Sequence, residues 1–172
     1  MVKPPEINNH LADVWCWQFA SPEDERYHFE EWGVPVHDDS HMFEHLSLEC
    51  LQCELSWNYV LQRRDLFREA SHGFGIDLVA AMDEAEVLSL LKRPRMLRNK
   101  AKLFAIVGNA RASQAPRDEY GGISAFFWNW TDGKTILHQG HQRGGIPASI
   151  DLSARIARDL KRRGFRCVGP PT

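Results

Sequence analysis

Apolar side chains recur along this chain at intervals of three and four, and nowhere do they alternate as a half-buried strand requires. Met42, Phe43, Leu46, Cys50 and Cys53 follow helical spacing, with Ser40 as the expected N-cap of a helix running into the stretch L-E-C-L-Q-C-E-L-S-W, residues 48–57. A short helix is predicted over Tyr27 to Glu31, stopped at Trp32-Gly33-Val34-Pro35. Trp57, Val60 and Leu61 open a helix extending to about Ala70, and Asp77 caps a short one through Met82. Asp83 with Glu86 at its third position reads as a capping box for a helix to Leu91. A further helix follows the break K-R-P-R-M-L-R. Next come a loop ending at Gly121-Gly122 and an aromatic helical turn, S-A-F-F-W-N-W. Lys134 to Leu137 read as briefly extended within a long irregular stretch. Leu152, Ile156 and Leu160 share one face of a last helix from Ile150 to Arg163, ended by Gly164. The expected class is all-α, with residues 1–14 a poorly ordered leader and 15–172 a single domain.

Composition fits that picture. The 172 residues are 43% hydrophobic and 26% charged, with a formal net charge of −2. That balance hides an asymmetry: residues 1–60 carry twelve acids and two bases, residues 61–172 eleven acids and nineteen bases. A basic face in the second part is therefore possible despite the near-neutral total. No apolar run approaches the ~18 residues of a membrane span, and the N-terminal residues lack the apolar core of a signal peptide, so a cytoplasmic protein without membrane contact is expected. Four cysteines (Cys16, Cys50, Cys53, Cys167) fit reduced thiols better than a disulfide framework. Cys50 and Cys53 fall on the apolar face of their helix and read as packing residues rather than a redox or metal pair.

Two stretches carry chemistry. Glu49 is an acid at the inner end of a predicted buried helix, with Tyr27 and Trp32 upstream and Trp57 two turns on. Ring faces and a poorly solvated carboxylate together suit a flat, cationic ligand. The second stretch, 92–111, joins two helices through a basic hairpin: Lys92, Arg93, Arg95, Arg98, Lys100, Lys102 and Arg111, with no acid from 92 to 117. A helix N-terminus after a tight turn, surrounded by cations, is a natural seat for a backbone phosphate. His138, His141 and Lys134 lie in the long loop; no nucleophile accompanies them in a recognisable setting, so hydrogen-bonding or phosphate-contacting roles are expected.

Y-H-x-x-E-W-G-V-P (27–35), L-E-x-x-Q-x-x-L-S-W (48–57), the basic helix with G-N-A-R-A (108–112) and L-K-R-R-G-F (160–165) occur in that order. Together they resemble the DNA-3-methyladenine glycosylase I family of the helix–hairpin–helix glycosylases, from about Trp17 to Gly169, and G-H-x-x-G-x-I-P resembles one subgroup of it. The resemblance implies a monofunctional glycosylase that flips 3-methyladenine out of alkylated double-stranded DNA and hydrolyses its bond to the sugar, acting as a monomer with the free base as product. It assigns Glu49 the catalytic position, Tyr27, Trp57, Trp17 and Leu55 the base-binding wall, and Arg93, Arg95, Arg98, Lys100 and Lys102 the DNA grip.

Three departures stand out. Arg93-Pro94-Arg95-Met96 replaces a glycine-containing hairpin, and Glu54 stands where the family has Gly. The family's structural zinc is held by an N-terminal Cys, the His of the Y-H pair, and a C-terminal His and Cys. Here only His28 matches: Trp15 falls on the Cys position with Cys16 beside it, and the C-terminal pair has no counterpart before Thr172. No zinc or other cofactor is therefore expected. Rival readings are a DNA-binding helical module without catalysis, a thiol or metal protein built on Cys50 and Cys53, and an acidic interaction protein unrelated to DNA.

Overall fold

The helix carrying Glu49 is the hub of the molecule. A computed structural model describes residues 19–137 and 147–171, and among them it contains ten α-helices and one 3-10 turn, with no strand. They are α1 (Pro22–Glu30), α2 (Asp39–Gln52), α3 (Trp57–Leu61), α4 (Arg64–Ala70), the turn His72–Phe74, α5 (Ile76–Ala81), α6 (Glu84–Leu90), α7 (Lys100–Ala112), α8 (Gln114–Tyr120), α9 (Ile123–Asn129) and α10 (Asp151–Arg162). In α2, Phe43, Glu44, Leu46, Ser47, Leu48, Cys50 and Leu51 are all buried, so it is covered on several sides, by α3, α5, α7, α9 and the 3-10 turn. Phe43, Phe74, Phe126, Leu48, Leu51 and Val60 fill the core around it.

Several expected boundaries move, each for a local reason. The first helix begins earlier than Tyr27, with the acidic stretch after Ser21 as the first turn of α1: Ser21 Oγ accepts from Asp24 N at 3.2 Å, Pro22 opens the helix, and the acids face its positive end. Asp38, not Ser40, caps α2, accepting from His41 N at 2.8 Å. The stretch from Trp57 to Ala70 is two helices, separated at Arg63 (φ −115°). Gly75 rather than Asp77 precedes α5. The segment before Gly121-Gly122 is helix α8, not loop. The Asp83 cap forms as expected, with Glu86 N at 2.8 Å.

Cross-links between helices fix what the apolar packing leaves free. Arg64 lies buried between Glu44 (2.6 Å) and Glu31 (2.6 Å), and Arg68 joins Glu44 at 2.7 Å, tying α4 to α2 and to the turn after α1. Asp39 accepts from Ser124 N at 2.9 Å, closing the start of α9, and a side chain at Gly122 would collide with that carboxylate. Asn109 clamps residue 166, donating to its carbonyl at 3.0 Å and accepting from its N–H at 2.7 Å.

Two positions reveal why glycine is expected and what replaces it. Cys53 (φ −41°, ψ 120°) and Glu54 (φ 65°) form the middle of a type II turn after α2, and Arg95 (φ 63°) follows Pro94 at the same place in the hairpin turn. The left-handed conformation is reached without glycine at a cost of about 1 kcal/mol each. Glu54→Gly is accordingly expected to raise the unfolding free energy by about 1 kcal/mol in urea titrations, with the m-value unchanged.

Candidate active site

Glu49 lies on the last turn but one of α2, and its carboxyl is largely withdrawn from water. Among the described residues no donor reaches it. Burial alone pushes its pKa up to about 7. The cations that might have paired with it are committed elsewhere. Arg64 is held by Glu31 and Glu44. Lys102 donates to the carbonyls of Leu51 (2.8 Å) and Cys53.

Tyr27, on α1, is 7% exposed and within electrostatic reach of Glu49, whose charge adds to burial in holding the phenol protonated. Its ring meets that of Trp57, at the start of α3, edge to face with centroids 5.0 Å apart. Ser56 caps α3 (Tyr59 N, 3.2 Å) and so aims Trp57 back across the end of α2. The Trp57 indole N–H is buried with no acceptor among the described residues. Leu55 is half-buried in the turn between α2 and α3, against the core. The structure thus gathers Glu49, Tyr27 and Trp57; Trp17, like His138 and His141, lies outside the described residues.

The hairpin between α6 and α7 divides the expected basic residues. Met96 and Leu97 anchor it in the core, while Lys92, Arg95 and Arg98 are exposed and make no ion pair among the described residues. Arg93 faces Glu69 (3.1 Å) and Lys100 faces Glu84 (3.8 Å), exposed pairs worth ~0–1 kcal/mol and readily exchanged for a phosphate. Asn99 caps α7 (Lys102 N, 3.1 Å). Lys102 is the exception and a correction: it is buried, its ammonium neutralising the negative end of α2 rather than facing a nucleic acid. Its spacing, two residues after the exposed Lys100, turns it to the inner side of the helix, a signal the charge count hides.

Thiol chemistry finds no support. Cys50 is buried, hydrogen-bonded by Asn109 Nδ2 at 3.5 Å, and burial first of all pushes its thiol up to about 12, while Cys53 is exposed and both are free. Of the expected zinc positions only His28 lies among the described residues; Trp15 and Cys16 lie outside them. His28 packs against Trp32 (5.3 Å, stacked), Phe19 and Phe29 in an aromatic setting, and among the described residues it belongs to no convergent group of metal-ligating atoms. One such group does exist, unforeseen from the sequence: Glu31, His41 and His45. The cleft at α10 lined by Trp130, Arg155, Arg158, Lys161 and Arg162 was also unforeseen.

A largely buried carboxyl beside two aromatic rings, and a basic hairpin, are carried on one all-helical framework, and the chain belongs to the methyladenine glycosylase family, whose model it matches over residues 15–172. Among curated relatives, DNA-3-methyladenine glycosylase 1 of Escherichia coli strain K12 is 35% identical over 153 residues, covering 89% of this chain and 82% of that protein. The DNA-3-methyladenine glycosylase of Haemophilus influenzae is 34% identical over 146 residues, covering 85% and 79%. The solved structure of 3-methyladenine DNA glycosylase I from Staphylococcus aureus, described in terms of 3-methyladenine recognition, superposes with a TM-score of 0.85 at 29% identity, covering 89% and 81%.

The raised acid makes stability depend on pH in a definite sense. The folded chain keeps the Glu49 proton up to about pH 7, whereas an unfolded glutamate releases it near 4.5. Between those values the folded form binds more protons, so stability falls as pH rises through the window. Glu49→Gln removes this term. Its stability relative to wild type should increase by roughly 2–3 kcal/mol between pH 4.5 and pH 8 in denaturant titrations.

Proposed function

We propose that this chain excises 3-methyladenine from alkylated duplex DNA, leaving an abasic site, with Glu49, Tyr27 and Trp57 receiving the extruded base. The observation that carries the reading is the Glu49 carboxyl, desolvated and unpaired beside Tyr27. A base stacked in a duplex is out of reach, so it must be flipped into a pocket first. Once there, an electron-poor purine gains from contact with the Tyr27 and Trp57 rings.

In its nucleotide, 3-methyladenine carries a positive charge. A cation entering beside Glu49 favours the ionised carboxylate, which accepts hydrogen bonds from the N–H edge of the base in a medium of low dielectric. The buried indole N–H of Trp57 offers a donor to the same ligand. Water then adds to the anomeric carbon as the glycosidic bond breaks, and its surplus proton passes to solvent. The bonding electron pair passes to the purine ring and neutralises it, so no acid is needed for the leaving group. A neutral adenine brings no charge to offset ionisation of Glu49, which is the basis of selectivity. No metal enters this sequence of events.

The hairpin supplies sequence-independent grip. Arg95 and Arg98, with Lys92 and after exchange Arg93 and Lys100, approach the backbone, while the N-terminus of α7 presents its N–H groups. Loss of one such contact lowers the slope of log affinity against log salt by about 1. Arg98→Ala should show that change on damaged and undamaged duplex alike, measured by fluorescence anisotropy.

The activity itself is tested by mass detection of 3-methyladenine freed from alkylated DNA. Release is expected, its second-order rate constant at sub-saturating protein rising through about pH 7 as Glu49 of the free protein ionises. Glu49→Gln should slow it by about 100-fold and flatten that dependence. DNA binding with no base released would reduce the chain to a binding module and overturn the proposal.

A further inference from the structure

Glu31, His41 and His45 play no part in the reaction just described, yet their side chains converge. His41 and His45 stand one turn apart on the same face of α2, and their Nε2 atoms are 3.0 Å from each other. Glu31 Oε2 lies 3.8 Å from the first and 3.5 Å from the second. The centre of a circle through those three atoms is about 2.0 Å from each of them, which is the length of zinc–imidazole and zinc–carboxylate bonds, ~2.0–2.2 Å.

The carboxylate is held for that role. Its Oε1 accepts from Arg64 at 2.6 Å, and Arg64 is itself fixed by Glu44, so Oε2 is left pointing at the two imidazoles. Glu31 Oε2 is buried and accepts no hydrogen bond. The side chains of His41, His45 and Glu31 are 43%, 18% and 20% exposed, open enough for an ion to enter and retain a water on its free side.

We infer that Glu31, His41 and His45 form a binding site for one zinc-class divalent cation. Two neutral nitrogens and one carboxylate oxygen suit zinc and its borderline relatives; magnesium and calcium prefer all-oxygen shells. Three protein ligands with one open position give a tetrahedral site completed by water. The site is separate from His28, whose ring sits among aromatic neighbours. Its consequence is mechanical. Glu31 immediately follows α1, which carries Tyr27, and the histidines lie on α2, which carries Glu49. A bound ion would tie together the two helices that flank the base; this consequence rests on the proposed function, whereas ion binding does not.

The test uses the whole chain, freed of metal by chelation and titrated without DNA. Calorimetry with zinc should give one ion per chain, and the melting temperature should rise on binding. Cobalt should produce the visible absorption of a tetrahedral nitrogen–oxygen site without a thiolate charge-transfer band. His41→Gln, at a half-exposed position that leaves folding intact by circular dichroism, should weaken zinc binding by about 100-fold or more, since even outer-sphere partners are worth ~10–100-fold. His45→Gln should do the same, and Cys53→Ser should bind zinc like wild type. Absence of stoichiometric binding, a thiolate band with cobalt, or unchanged affinity in the histidine variants would each overturn the inference. Base release from alkylated DNA is read in a separate assay, so either result can fail without the other.

Discussion

Much of this structure serves to keep one carboxyl group from finding a partner. Burying an acid without compensation costs several kcal/mol or forces it to hold its proton. Around Glu49 the second outcome holds, because the nearby cations among the described residues are engaged elsewhere. Arg64, close enough to affect Tyr27, is saturated by Glu31 and Glu44. Lys102, close to the end of α2, spends its ammonium on two main-chain carbonyls. The buried ion network between α2 and α4 is therefore weak evidence for stability in itself. It does engage the guanidinium of Arg64, which therefore leaves the Glu49 carboxyl unpaired.

The same contacts join recognition of a base to recognition of a backbone. Lys102 sits in the first turn of α7, directly after the hairpin, and grips the C-terminal end of α2 through the carbonyls two and four residues beyond Glu49. Met96 and Leu97 bury the hairpin in the common core. In the proposed function, a phosphate at the hairpin and a base at Glu49 would thus be held by one connected frame. Such a frame suits a reaction in which the nucleotide must leave its duplex at a fixed distance from the gripped strand.

Much of this was legible in the residues themselves. Helical spacing around Met42, Phe43 and Leu46 revealed the central helix, and the acid at 49 among apolar neighbours singled out the candidate residue. The all-α class followed from the absence of alternating stretches. Boundaries were less legible because several candidate caps lie side by side. Asp38, Asp39 and Ser40 compete for one role, and only the approach of α9 frees Asp38 for the cap by engaging Asp39. Lys102 was misread because local charge density says nothing about which face of a helix is buried. The cluster of Glu31, His41 and His45 escaped notice since its carboxylate and imidazoles are brought together by the turn after α1, a tertiary event with no sequence signature. The glycine replacements at 54 and 95 stood out in the sequence as departures from the family, and the structure keeps the turns there with two left-handed side-chain-bearing residues.

The central claim is that Glu49 stays protonated to near neutrality because nothing among the described residues compensates its charge. Carbon-detected magnetic resonance of the glutamate side-chain carboxyls, with Glu49 assigned by comparison with Glu49→Gln, measures this directly. The account predicts a titration midpoint near 7 for the free protein. A midpoint close to the ordinary 4.5 would show a solvated or paired carboxylate and contradict it.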